Sequence, residues 1–207
     1  MSRRRTLLEQ PPLPSAQRAD SEQIVAAVIA AAIELGPQAT LAAIAAKAGV
    51  GAASLHRYFP TTAAIFAEVS RQSYRTLLEQ IRALTNREDL ELYAMVKLVC
   101  QAAIDGPGLS LEHRRRLNLE LPLAWTTSTA EQVYAEVLEA AAGWIRKHVR
   151  PPPQDLEARV FVAFANIRGA VLMMLMFPSI APPREALLPA LADSVFLALT
   201  LDRQVSQ

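Results

Sequence analysis

From Asp20 onward apolar residues recur at three- and four-residue spacing almost to the C-terminus, alternating β-branched runs are absent, and glycines and prolines fall between the periodic segments. The pattern predicts an all-α chain of about nine helices. Asp20 with Gln23 resembles a capping pair, and Gly36-Pro37 closes a first helix from about Ser21 to Leu35. Thr40 caps a short second helix ending near Ala48, Gly49 supplies a positive-φ turn, and a third helix runs from about Ala52 to Tyr58 before Pro60 stops it. A fourth helix, capped by Thr61, reaches about Leu84, and Asn86 with Asp89 opens a fifth that ends at Ile104. After the Asp105-Gly-Pro-Gly108 break, a sixth begins past Ser110 and is interrupted near Pro122. Ser128 with Glu131 forms a capping-box pattern for a seventh, which Pro151 to Pro153 terminate. The eighth covers about Gln154 to Met176, and the last lies between Pro183 and Leu201, with Pro189 kinking it or delaying its start.

Residues 1 to about 19 lack this periodicity and mix Arg3, Arg4 and Arg5 with Pro11, Pro12 and Pro14, which reads as a flexible basic arm. The expected organisation is an arm at 1–19, a small helical domain at 20–66 and a larger helical domain at 67–207. With 207 residues, 52% of them hydrophobic, two compact units are the ceiling. Twenty-one Lys and Arg against 20 Asp and Glu leave a net charge of +1, so any affinity for nucleic acid must come from local charge. The prolines interrupt what a secretion signal would need, and Cys100 as the single cysteine excludes an intramolecular disulfide, so a cytoplasmic protein is expected. The apolar stretch from Val160 to Phe177 contains Asn166 and Arg168 and falls short of the ~20 residues of a spanning helix, so it reads as buried and no membrane partner is expected. His56, His113 and His148 are scattered, and no nucleophile motif, phosphate loop or metal-ligand spacing occurs. No enzyme activity, metal or cofactor is expected.

The sharpest local signal is AAKAGVGAASLHRYFPTTAAIF from Ala45 to Phe66. Its spacing fits two short helices crossing through a tight turn: Ala45 is small where the helices approach, Gly49 makes the turn, and Ile44, Val50 and Leu55 point inward. The third helix then presents an outer face on which Ala52 and Ala53 permit close approach to a DNA major groove. Arg57 can read guanine or bind phosphate, and Ser54, His56 and Tyr58 can donate to phosphate oxygens. Thr40 and Thr61 add helix-start contacts of the same kind.

Thr40, Ile44-Ala45, Ala48-Gly49-Val50, Leu55 and Phe59 together resemble the TetR family of bacterial repressors over about Ile24 to Phe66. The resemblance implies a ligand-responsive repressor that binds a two-fold related DNA operator as a homodimer. Gly51, His56 and Thr62 stand where the family commonly has serine, tyrosine and a phosphate-contacting lysine. Between Ser21 and Phe66, Lys47 and Arg57 are balanced by Glu22 and Glu34, so phosphate contacts from Arg3, Arg4, Arg5 and Arg18 are expected to compensate. The other reading of a neutral reading head is a helical interaction protein of the same architecture that has lost specific DNA binding.

In the larger domain the resemblance implies an effector pocket and a dimer face on the last two helices. Pocket candidates are Tyr93, Met95, Leu98, Leu121, Trp125 and Tyr134, and few charged residues fall where a buried site would be, which favours a neutral or lipophilic effector. Dimer-face candidates are Phe161, Phe164, Ile167, Val171, Leu172 and Leu175, with Leu191, Val195 and Leu199 on the last helix. Arg168 interrupts that face and calls for an interface ion pair. The run His113, Arg114, Arg115, Arg116 reads as a solvated surface, with an inward Arg116 or Asn118 meeting an anion as the alternative. Cys100 reads as a small core residue.

Overall fold

The computed structural model describes residues 15–106 and 110–201. Among the described residues there are nine α-helices and no strand: α1 (Ser15–Leu35), α2 (Leu41–Ala48), α3 (Ala52–Tyr58), α4 (Thr62–Thr85), α5 (Leu92–Asp105), α6 (Leu111–Arg115), α7 (Thr127–His148), α8 (Leu156–Met176) and α9 (Arg184–Thr200). The chain divides into two compact units, residues 1–65 and 66–207, and the division falls within α4.

The first unit is built on α1, which packs mainly against α2. Thr40 stands in extended conformation before α2, and its Oγ1 accepts from the Ala43 N–H at 3.2 Å, satisfying a donor that the helix itself leaves open. Gly49 ends α2 at φ 68° and ψ 26°, while the N–H groups of Gly49 and Val50 close back on the carbonyls of Ala46 and Ala45. A Cβ at Gly49 would meet nothing within 4 Å, so the left-handed backbone, rather than space, calls for glycine here. Ile44, Ala45, Leu55 and Phe59 are buried with Val28, Ala31 and Ala32 of α1, whereas Val50 is half-buried. Each large apolar side chain so covered contributes roughly 1.5–3 kcal/mol.

The second unit has its core where α5, α7, α8 and α9 meet, with Met95, Val96, Ile145, Val160, Ala163, Leu191 and Val195 among its buried residues. The Trp144 indole N–H donates to the Arg87 carbonyl at 3.0 Å, so a large aromatic is buried without an orphaned donor. Cys100 is fully buried, and burial pushes its thiol pKa up to about 12.

Several boundaries differ from the sequence expectation. Helix α1 begins at Ser15 rather than near Ser21, so part of the expected arm is helical. The sixth helix is a single turn that passes into a π-helical turn at Arg116–Glu120 and a 3-10 turn at Leu123–Trp125. Helix α7 starts at Thr127, which places Ser128 inside the first turn instead of at the cap. Pro189 lies inside α9, whose first residue is Arg184. Helix α8 has 21 residues and is long and apolar enough by composition to cross a membrane, so the expectation that this stretch is too short does not hold. One face of α8 is nevertheless committed to the core through Leu156, Val160, Ala163, Ile167, Val171 and Leu175.

Candidate functional site

Helix α3 carries the chemistry of the first unit on its outer face. Leu55 turns inward at 1% exposure, and this leaves Ala52, Ala53, His56 and Arg57 exposed, with Ser54 half-buried. Gly51 stands extended at the N-cap of α3 without a side-chain cap, and Thr61 Oγ1 caps α4 by accepting from the Ala64 N–H at 3.1 Å. Thr40 is exposed, and Thr62 is half-buried as the first residue of α4. The Arg57 guanidinium donates to the Tyr58 hydroxyl at 3.0 Å and lies 5.0 Å from that ring's centroid. The same hydroxyl meets Ser21 Oγ of α1 at 3.0 Å, so Tyr58 braces α3 against α1. Lys47 is paired with Glu34 across α1 and α2. The surface is thus small, polar and uncrowded, with one guanidinium at its edge. Arg3, Arg4 and Arg5 lie outside the described residues.

Two cavities among the described residues of the second unit bear on its chemistry. One, of about 90 Å³, is lined almost wholly by hydrocarbon, including Leu84, Leu92, Met95, Leu138, Ala141 and Leu199. The other, of about 180 Å³, is lined by Ser70, Ser73, Tyr74, Gln80, Arg114, Asn118, Tyr134 and Arg168 among apolar neighbours. Ile81, Val99, Val137, Phe164 and Ile167 line both, so the two chambers share a wall.

The polar chamber is wired through hydrogen bonds. Arg114 is buried, and its two terminal nitrogens donate to the carbonyls of Ile104 and Ala103 at 2.6 Å each, satisfying the end of α5. Its backbone carbonyl accepts from Asn118 Nδ2 at 2.8 Å, and Asn118 Oδ1 accepts from the Arg168 guanidinium at 2.9 Å. Arg168 lies 5.5 Å from the Tyr134 ring centroid, and Tyr134 makes edge contacts with Tyr74 and Phe164. Burial raises the Tyr134 phenol above its ordinary pKa, so it stays protonated at neutral pH and can donate a hydrogen bond. Burial likewise lowers the Arg114 guanidinium from its ordinary value.

Of the sequence candidates for a pocket, Met95 and Tyr134 line these chambers. Tyr93 is exposed and donates to Asp193 Oδ1 at 2.7 Å, Trp125 stacks on Phe66, and Leu98 and Leu121 line neither chamber. The expected dimer face needs a larger correction. Ile167, Val171, Leu175, Leu191, Val195 and Leu199 are buried in their own unit, where they have little surface to offer a partner. Phe164 and Arg168 line the polar chamber, and Leu172 is half-buried. Only Phe161 of that set is openly exposed, at 60%, beside Val162, Met173 and Met176 on α8 and Leu197 on α9, which sequence reasoning did not select. The solvated basic run is corrected as well, because Arg114 is inside while Arg116 pairs with Glu112. The sparse-charge premise for a neutral or lipophilic ligand gives way to two guanidinium groups on the chamber wall.

Residues 24–69 match the family described as bacterial regulatory proteins, tetR family. No curated protein matches the chain. Among solved structures, a TetR-family transcriptional regulator from Mesorhizobium loti superposes with a TM-score of 0.68 at 18% identity, covering 90% of this chain and 98% of that one. The fatty acid degradation regulator FadR from Bacillus halodurans gives 0.66 at 16% identity over 94% and 99% of the two chains. FadR from Bacillus subtilis, solved in complex with stearoyl-CoA, gives 0.63 at 17% identity over 87% and 98%. At these identities the likeness is one of fold.

Proposed function

We propose, for a chain that carries a tetR-family regulatory segment at residues 24–69, that it is a cytoplasmic transcriptional repressor released from its operator by a small molecule. The observation that carries this reading is the α2–Gly49–α3 arrangement, in which Leu55 anchors α3 while Ala52, Ala53, His56 and Arg57 remain open on one short helix. A helix with two alanines on its outer face can approach base edges closely, and an arginine beside them supplies guanine or phosphate contact.

Two further observations support the rest of the reading. Phe161, Val162, Met173, Met176 and Leu197 form an exposed apolar surface on α8 and α9 that a second copy of the chain would cover, and a two-fold pair of heads fits a two-fold operator. The chambers of the second unit supply a place for an effector, and the Bacillus subtilis neighbour was solved in complex with stearoyl-CoA. Effector binding shifts the population toward a state whose heads no longer match both half-sites, with α4 as the link.

One observation favours a second reading. With Lys47 engaged by Glu34, the head has little free positive charge, as in a helical interaction protein without specific DNA affinity. Selection of bound sequences from a random DNA pool, followed by salt titration, separates the two. The repressor yields a two-fold consensus, a steep salt slope and about tenfold weaker binding for Arg57→Ala. Weak binding without sequence preference overturns it.

A further inference from the structure

We infer that the paired chambers take an amphipathic alkyl carboxylate, its head at Arg168 beside Asn118 and Tyr134 and its tail in the adjoining hydrocarbon chamber. This rests on the reading of the second unit as an effector-binding body. The division of polarity carries it. One chamber is lined almost entirely by carbon and cannot satisfy a polar group, so whatever fills it there must be hydrocarbon. The other shares its wall and carries Arg168, Asn118, Tyr134 and two serines, and no aspartate or glutamate lines it among the described residues. A ligand that fits both must change from apolar to polar along its length.

The sign and size of the head group follow from the arginines. Arg114 is engaged by the carbonyls at the end of α5, so its nitrogens are held away from a ligand. Arg168 is different: it is aligned by Asn118 and by the Tyr134 ring, and it has no carboxylate partner among the described residues. A guanidinium has five N–H donors in a planar fork, which matches a carboxylate at two points and leaves a cationic head group repelled. One free guanidinium balances one negative charge, so a carboxylate fits better than a phosphate dianion. The protonated Tyr134 phenol adds a further donor.

The test is calorimetric titration of the full chain with straight-chain carboxylates, the matching 1-alkanols and the matching coenzyme A thioesters, all below their micelle thresholds. Carboxylates are expected to bind at least tenfold more tightly than alkanols of equal length, with affinity rising about fourfold per methylene until the hydrocarbon chamber is full. Arg168→Gln should remove that tenfold preference, weakening carboxylate binding far more than alkanol binding. Ala141→Phe should shorten the longest chain accepted, and near-ultraviolet circular dichroism checks that both variants are folded. Equal affinity for acids and alcohols, an unaltered preference in Arg168→Gln, or binding of the thioesters alone overturns the proposal. If no alkyl ligand binds while operator binding is intact, the ligand class falls and the regulator stands. If sequence-selective DNA binding is absent, the regulator reading falls whatever the chambers hold.

Discussion

In the first unit the large apolar residues face inward and small or polar ones outward, as at α3, where Leu55 is buried between exposed Ala53 and His56. The second unit reverses this on α8: Arg168 lines an internal chamber while Phe161, Val162 and Met173 stand at the surface. The first arrangement suits recognition of a ligand too large to enclose. The second suits enclosure of a small ligand and leaves a greasy exterior that a copy of the chain can cover. The inversion also means that damage to either unit should have a different signature.

The largest effect is expected from Leu55→Ala. Removing a side chain that is 1% exposed leaves a cavity under α3 and costs about 3 kcal/mol. Operator binding should be lost while the second unit keeps its thermal transition, followed by calorimetry. If both units melt together at the lower temperature, the chain unfolds as one block and the contrast between two independent units fails.

The corresponding site in the second unit is Gly106, with φ 72°. A Cβ there would lie 2.6 Å from the Cζ and Nε of Arg114, whose guanidinium is pinned by the end of α5. Gly106→Ala is therefore expected to cost about 2 kcal/mol in urea unfolding, through positive-φ strain and displacement of a buried arginine. Equal stability would mean that Arg114 moves freely and that the polar interior is less fixed than its hydrogen bonds indicate.

These two sites also differ in how far the sequence could foresee them. The head was legible because its determinants are local: the Thr40 cap, Gly49 and the inward Leu55 lie within 16 positions, and α3 spans the expected residues. Arg114 was not legible, since its burial depends on carbonyls 10 and 11 residues back, across a break, and it sits in a run of basic residues that resembles a solvated face. In α8 the difficulty was different. A helix that is apolar on nearly every side shows no periodicity to separate core from surface, so Ile167, Val171 and Leu175 were assigned outward while Met173 and Met176 were passed over. Which face is buried is decided by α5, α7 and α9 together, and no window of sequence contains all three.

The smallest effect concerns acid. In the second unit Arg184 at the start of α9 grips Asp105 at the end of α5 with two hydrogen bonds of 2.6 and 2.7 Å, and it holds that carboxyl below the usual carboxylate range. Lys147 lowers Glu88 in the same sense. A carboxyl depressed by folding stabilises the folded state above its unfolded pKa, and that contribution is lost as pH falls through the folded value. The pairs should therefore act fully at pH 7 and fade below about pH 4. Both partners of the Asp105 pair are over 40% exposed, so screening keeps the effect small and salt lowers it further. Asp105→Asn is expected to lower the melting temperature of the second unit slightly at pH 7, with the difference from the natural chain narrowing as pH falls below the ordinary aspartate range. A difference that persists at low pH would show that Asp105 acts through packing rather than charge, and would leave the buried Arg114 network to tie α5 to its neighbours.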